Sequence, residues 1–521
     1  MLIPIIFGCT PKQADFVEEN KSTQQDEEPS VGGELRLPIV RFSTLNPIVN
    51  DSKDVYYLNQ LIYDGLVRLD GQHQAQPALA KSWEWSDSEN QWIFDLRENV
   101  KWHDNRIFSA KDVEFTIRVL QSSIGKANES IYSERVKYIT KVKVIDDHKI
   151  AIQLDGETNR SVEAFTFPII PQHQFKTIQD VYQKEEMTPI GTGSYKIDSY
   201  NRNRRIQLIA NAEYWGEKPY IPSIDFEIVP DEDAALTLLE ANELNGAQAN
   251  TLDWEKYSHN KSLKIHEYIT QDYEFLGFNF NQPLLQNKHI RKALAYGIDR
   301  HEIIERIYLG HATLTDVPIS PNSWLYKEEQ KKYGQDYLKA KEFFSLAGWS
   351  NQDEDPWLEN QEGQELTLNL LVNEENPQRV QAAEIIAAHL EEAGVKIVVD
   401  AVSTEEYRKR IFGGRFDIVL AGWQFSDIFD LRFALHSSYR VDTNFIAYQN
   451  EKMDKLLIEA SLAIEPERKK EIYQEIQKLF IEDLPYLSLY FKNGALILRK
   501  DIKGMIEPRS YHIYNQIESW H

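Results

Sequence analysis

The stretch LTLNLLVNEENPQRVQAAEIIAAHLEEAGVKIVVDAVSTEEYRKRIFGGRFDIVL, Leu366 to Leu420, carries the reading that decides the fold. Leu366–Val372 is a short apolar run of strand length. Pro377–Glu392 reads as a helix that stops at Gly394, the residue type that best accepts the left-handed turn after a helix. Val395–Val399 is extended again, Tyr407–Ile411 helical, and Phe416–Leu420 extended. Strand and helix alternate, which is the pattern of an α/β fold.

Toward the C-terminus, Lys452–Ile464 and Pro466–Ile481 read as two amphipathic helices split at Glu465-Pro466. Leu487–Tyr490 and Ala495–Leu498 follow as two late strands. On the other side, Asn287–Tyr308 reads as one helix. A block from Pro189 to about Glu274 opens with Gly193–Ile209, two strands joined at Asn201–Asn203. A strand Ile224–Val229 comes next, then a helix Asp233–Glu243 whose leading acids suit its dipole. Earlier still, Glu34–Val40 reads as the first strand. Asp54–Val67 reads as a helix, with Val55, Leu58, Leu61, Ile62 and Leu66 at helical spacing. Trp92–Leu96 is a strand and His103-Asp104-Asn105 a turn. Ser109 caps a helix through Leu120 with Asp112 in its first turn, and Val142–Leu154 alternates as a hairpin about Asp146-Asp147. No internal repeat is visible.

A chain of 521 residues is too long for one core, because single cores stop growing near about 250–300 residues, so two or three packed lobes are expected. The 58 basic against 82 acidic side chains leave a net charge of −24. Such a surface repels phosphate backbones, so nucleic acid is not an expected partner. The lone cysteine, Cys9, excludes an intrachain disulfide and any multi-cysteine metal site. No later stretch approaches the 18 or so apolar residues of a membrane span.

No catalytic constellation stands out. H-E-x-x-H, G-x-S-x-G and G-x-x-x-x-G-K-[ST] are all missing. Gly191-Thr192-Gly193 resembles half a dinucleotide fingerprint, but the strand-like Tyr195-Lys196-Ile197 follows where a helix should begin, so a tight turn is the better reading. Asp231-Glu232-Asp233 starts like a calcium loop without its glycine and is better explained as a helix start. The 13 histidines are scattered. Neither a catalytic residue, a metal ligand set nor a cofactor is therefore assigned.

Several segments together resemble the family 5 extracellular solute-binding proteins, the receptors of peptide and nickel ABC importers. The most specific is LRENVKWHDNRIFSAKDVEFT, Leu96 to Thr116, with Asn105 where the family usually has Gly; Asn accepts the same positive φ. YDGLV (Tyr63–Val67) and PALAKSWE (Pro77–Glu84) precede it. PIGTGSY (Pro189–Tyr195), with Ser194 in place of the usual Pro, follows, as do NAEYWG (Asn211–Gly216), Phe278-Asn279, RKALAYGIDR (Arg291–Arg300) and Ala347-Gly348-Trp349. Phe416-Asp417, Gly422-Trp423 and LPYL (Leu484–Leu487) complete the series in family order, from about Gly33 to the C-terminus. The start, Leu2-Ile3-Pro4-Ile5-Ile6-Phe7-Gly8 before Cys9, resembles the end of a bacterial lipoprotein signal, although no Lys or Arg precedes the apolar run.

The resemblance implies a two-lobed, periplasmic-binding-protein-like α/β fold of type II with an extra inserted domain. Residues 33–46, 189–274 and 485–521 would form lobe I, 47–188 the insertion and 275–484 lobe II, with hinges near Phe275–Phe280 and Pro485–Tyr490. Residues 1–9 would be a signal remnant, with a lipid on Cys9, and 10–32 an acidic tether. It also implies a monomer in the periplasm or cell envelope, held at the membrane by its lipid alone. That receptor would bind an oligo- or dipeptide between its lobes, close, and dock on an ABC permease of the inner membrane. Trp102, His103, Asp104, Tyr214, Trp215 and Trp349 are expected to serve the framework.

In peptide-binding members an acid shortly after Gly-Trp holds the ligand amine. Here the segment is Gly422-Trp423-Gln424-Phe425-Ser426-Asp427, with Ser426 at the usual place and Asp427 one residue later. A loop acid facing solvent is the competing reading of Asp427. Trp423, Phe425 and Ser426, Arg41-Phe42-Ser43 at the end of the first strand, and Asn279 are the other expected ligand contacts, with backbone strand addition as the mode. A receptor for another solute (a nickel chelate, an oligosaccharide, an opine), a secreted hydrolase and a surface lipoprotein without a permease are the alternatives.

Overall fold

The computed structural model describes residues 31–122, 130–156, 159–183, 188–202, 204–249, 252–328, 333–352, 355–426, 428–440 and 442–521. Cys9, residues 10–30 of the expected tether, and Asp427 lie outside the described residues.

β1 (Glu34–Val40) forms where Leu35, Leu37 and Ile39 alternate into the core while Glu34 and Arg36 face out. It runs parallel to β10 (Ser223–Val229), which pairs antiparallel with β9 (Arg205–Ala210), itself paired with β8 (Tyr195–Asn201). A hairpin of β2 (Val67–Leu69) and β3 (Ala75–Pro77) precedes a second four-stranded sheet. That sheet has the order β4 (Ala80–Ser86), β5 (Gln91–Leu96), β7 (Lys149–Leu154), β6 (Ile139–Asp146). Both four-stranded sheets, the helices Lys53–Ile62 and Ala110–Gln121, and the tail residues Ile513, Tyr514, Ile517 and Trp520 share one continuous core. Together they make a first body.

A larger sheet runs from the first body into the second, in the order β11 (Gly246–Ala249), β17 (Tyr486–Arg499), β12 (Leu263–Phe278), β16 (Ile418–Gln424), β14 (Thr367–Asn373), β15 (Lys396–Val402), with β13 (Ala312–Leu314) on β17. β14, β15 and β16 are parallel and joined by the helices Pro377–Glu392 and Thr404–Phe412, which is the α/β alternation read from Leu366–Leu420. Gly394 takes φ +91° after the first of these helices.

β12 and β17 tie the bodies together. They pair antiparallel from Leu263 opposite Arg499 to Gly277 opposite Tyr486, with register shifts between Ile269 and Tyr273 and between Glu274 and Phe275. Tyr268, Leu496 and Leu498 lie in the first core, whereas Tyr273–Phe278 and Tyr486–Phe491 contribute to the second. Such bulges bend and twist a paired ribbon at one place.

Three expectations change. Leu487–Tyr490 and Ala495–Leu498 are one strand, because Phe491–Asn493 stay paired with β12 and β13 and leave no turn. Asn287–Tyr308 is two helices, Lys288–Gly297 and Arg300–Tyr308, since the Asp299 carboxylate caps the N–H groups of His301 (2.9 Å) and Glu302 (3.1 Å). The first helix stops at Ile62 and not at Val67, because Asp64 turns away to accept from Thr192 Oγ1 (2.8 Å) and Trp215 Nε1 (2.9 Å). Asn105 adopts φ +70°, the conformation for which a relative's Gly is suited.

His103 pins this same region. Its Nδ1 accepts from Gly191 N–H (3.2 Å) and its Nε2–H donates to the Gly193 carbonyl (3.1 Å), which only the neutral ring satisfies on both sides. Burial pushes its pKa down to about 4. The unfolded chain therefore takes up the proton first, so the His103 contribution is complete above about pH 6.5 and fades as pH falls toward 4. The stability gap between wild type and His103→Asn should shrink by about 1–2 kcal/mol from pH 7 to pH 5. A gap independent of pH in urea titrations contradicts the neutral ring.

Candidate functional site

Open α/β sheets present their ligand crevice at the carboxyl ends of parallel strands, where successive connections leave in opposite directions. In the second body that point lies between β14 and β16. β14 connects through Pro377–Glu392 to β15 on one side, and β16 leads on toward β17 on the other. The crevice is therefore edged by Asn373 and the helix start at Pro377, and by Trp423–Ser426 at the end of β16. In the first body the parallel pair is β1 with β10, and its carboxyl ends deliver Arg41–Ser43 and the helix start Asp231–Glu232.

The two edges approach each other. The Tyr511 hydroxyl donates to the Phe425 carbonyl (2.7 Å), while Gln60 Nε2 holds the Tyr511 carbonyl (2.6 Å). Lys53, at the start of the first helix, is lowered by burial against the pull of Asp54, Asp272 and Glu232. Two of these acids belong to the first body and Asp272 to β12. Asp54 accepts from Val40 N–H (2.7 Å) and is raised by burial. Asp272 accepts from Gln424 Nε2 (3.1 Å) at the rim of the second crevice.

Deeper in the second body, Glu274 is buried and carries two cations. Arg379 grips it with Nε (2.8 Å) and Nη2 (3.0 Å), and Lys492 Nζ stands 3.2 Å from the same carboxylate. Burial works against both charged forms, yet Glu274 outweighs it and holds both pKa values above their ordinary levels. Arg379 Nη1 reaches the Asn373 side-chain oxygen (3.3 Å) at the end of β14. Gly422 lets the guanidinium through: a Cβ there would stand 2.5 Å from Arg379 Nη2 and 2.8 Å from the Tyr273 carbonyl.

The residues expected to touch ligand divide by burial. Arg41 and Ser43 are exposed at the mouth, with Arg41 N–H on the Val229 carbonyl (2.9 Å) and Ser43 Oγ on Asp51 (3.2 Å). Phe42 is half-buried beside Tyr200 (6.3 Å). Ser426 is exposed and donates to the Ile428 carbonyl (2.8 Å). Trp423 is half-buried and packs edge-on against Phe433 (5.0 Å). Phe425 is buried among Tyr273, Phe429 and Phe491, so its backbone and not its ring meets the rim. Asn279 is fully buried, with its amide on the Gly414 (3.0 Å) and Phe416 (2.7 Å) carbonyls, which is a framework position. Asp430 is tied to Arg432 (2.7 Å).

The charged cluster of Lys53, Asp272, Glu274, Arg379 and Lys492 is not legible in the sequence. Only Glu274 left a local trace, an acid inside the apolar run Tyr273-Glu274-Phe275-Leu276.

Residues 74–444 match the family described as bacterial extracellular solute-binding proteins, family 5. The chain belongs to that family. This family 5 chain is 26% identical over 534 residues to the oligopeptide-binding protein AppA of Bacillus subtilis, covering 100% of this chain and 96% of the relative. Among solved structures, an AppA from Bacillus subtilis in complex with a nonapeptide superposes with a TM-score of 0.63 at 23% identity, covering 95% of this chain and 99% of that one. NikZ from Campylobacter jejuni in complex with Ni(L-His) gives 0.66 at 24% identity, with 94% and 99% covered. These likenesses establish the α/β solute-binding-protein fold. As the family description states, its members are extracellular solute-binding proteins. No helix among the described residues is long and apolar enough to cross a membrane.

Proposed function

We propose that this chain is the receptor of an ABC importer and captures a short peptide between its two bodies, without chemical change, for delivery to a membrane permease. The observation that carries this reading is the meeting of the two bodies at the Tyr511–Phe425 hydrogen bond (2.7 Å), beside the carboxyl ends of their parallel strands, on bodies joined by two bulged strands. The resemblance to oligopeptide-binding relatives supports the peptide class. Residues 33–46, 189–274 and 485–521, with the insertion 47–188, move as one unit against 275–484. Ligand favours the closed arrangement by its differential affinity.

Backbone groups of Arg41–Ser43 and Gln424–Ser426 other than those already bonded to Val229, Gln271 and Tyr511 pair with the extended ligand, a mode that tolerates many side chains. Asp427 takes the ligand amine, with Ser426 beside it. Cys9 carries the lipid that holds a monomer at the cell envelope, and 10–32 is its leash.

Thermal unfolding of the purified protein with tri- to nonapeptides tests the reading. A peptide at about 100 times its dissociation constant should add about 2.7 kcal/mol of stability. Asp427→Ala should remove that gain. Stabilisation by a nickel–histidine complex and by no peptide would move the assignment to a metal-chelate receptor.

A further inference from the structure

The two bodies also meet away from the crevices, and their seam forms a half-open cavity of about 620 Å3. Trp83 and Trp85 of β4 and Trp92 of β5 line it from the first body. Trp324 and the turn between the last two long helices, residues 463–469, line it from the second. Backbone bonds between the bodies close the seam, from Trp324 N–H to the Gln72 carbonyl (2.9 Å) and from Arg160 N–H to the Ser461 carbonyl (2.8 Å). A space of this size lies in the range of ligand pockets and not of packing defects.

The tryptophan rings give the walls planar apolar faces, and between them the carboxylates of Glu84, Asp87, Glu163 and Glu465 and the cations Arg160, Arg468 and Lys469 also line the cavity. Trp85 and Trp92 stand edge to face at 5.3 Å, with their indole N–H groups committed to Asp87 Oδ1 (2.8 Å) and the Arg160 carbonyl (3.1 Å). Three cations line the seam, and they differ; Arg468 is paired with Glu459 (3.5 Å) and Glu471 (3.2 Å). Lys469 is buried and matched, with its ammonium on Ser161 and 3.7 Å from Glu163. Arg160 is not. Its guanidinium lies over the Trp85 ring at 4.7 Å, and its buried Nε has no hydrogen-bond partner among the described residues. Its nearest carboxylate, on the solvent-exposed Asp87, is 3.7 Å from Nη1. The Nη end of this fork, held among the described residues only by that long ion pair and lying beside stacked rings, suits a carboxylate carried next to an aromatic ring, which would take the place of Asp87.

The geometry points to this cavity as a binding site for an aromatic group bearing a carboxylate. Two sources share that chemistry: a free aromatic acid, or the C-terminal end of a peptide held in the main crevices. The second source rests on the peptide reading above; the first does not. The cavity is next to the crevice rim, because Asn159, the neighbour of Arg160, faces Asp430 of the loop after β16 (3.5 Å). Since its walls come from both bodies, any occupant bridges them and favours closure.

Titration of the full chain, followed by tryptophan fluorescence, tests this with four probes. They are N-acetyl-L-phenylalanine, its amide, and the peptides Ala-Ala-Ala-Phe and Ala-Ala-Ala-Ala. Arg160→Gln on one wall and Trp324→Leu on the other should each weaken the free acid, or the Phe-ended peptide, by about tenfold. The amide should not follow Arg160, and the Ala-ended peptide should not follow Trp324. Loss on the free acid identifies an independent site, and loss on the Phe-ended peptide alone identifies an extension of the crevice. If peptides bind wild type and both variants alike and the free acid shows no dependence, the peptide reading stands and the cavity site is overturned. If the free acid depends on both walls and no peptide binds, the cavity site stands and the peptide reading falls.

Discussion

Glu274→Gln should lower the unfolding free energy of the second body by about 3–5 kcal/mol, the cost typical of removing one partner from a buried ion cluster. The amide keeps the shape of the carboxylate and removes its charge. Two cations then share a pocket in which Glu274 had been 5% exposed, Arg379 18% and Lys492 29%. Hydration cannot replace the lost carboxylate there, and the two positive charges repel. Adding Lys492→Met to Glu274→Gln should recover part of the loss by removing one stranded cation, so the two changes should be strongly non-additive. Urea unfolding of the single and double variants measures both. A Glu274→Gln cost below about 1 kcal/mol would show that the cluster behaves like an exposed pair.

Gly191→Ala should be the most damaging glycine substitution, abolishing soluble expression or costing more than about 3 kcal/mol, beyond ordinary overpacking. A Cβ at 191 would overlap the Ile62 carbonyl oxygen and stand 2.6 Å from its carbon. The obstacle is backbone at the end of the first helix and cannot rotate aside. Gly193 N–H donates to that same carbonyl (2.9 Å), so retreat of the loop breaks a bond that the fold uses. Gly334→Ala, where nothing lies within 4 Å of the added atom, is the matched control. Equal melting temperatures for the two variants would refute the close approach.

Both predictions mark where a linear reading stops. Glycines at 191 and 193 are visible in PIGTGSY, and a tight turn is a fair local reading of them. What demands glycine is the end of a helix that lies about 130 residues earlier in the chain, and no local pattern announces it. Gly422 is similar: the Gly-Trp pair is legible, while the guanidinium of Arg379 that forbids a side chain at 422 is not. The aromatic at 425 is an expected ligand contact because it follows Gly422-Trp423 in the segment that resembles the family's ligand-binding loop. Strand alternation turns its ring inward and leaves its carbonyl to Tyr511.

Local order was written in the chain itself. The alternation of Leu366–Leu420 set the parallel α/β unit, and the apolar alternation of Glu34–Val40 set the first strand. These follow from backbone periodicity and from the φ values each residue type accepts, which act over a few residues. The same short range explains why the helix break at Asp299 and the continuous β17 are not legible in the sequence, since capping and pairing partners outvote propensity there. Only the tertiary structure decided which charges would meet. Glu274 and Arg379 are 105 residues apart, and the tryptophan cavity draws its walls from segments on both bodies. Burial and charge energies depend on distance in space, and that distance exists only once the bodies have packed.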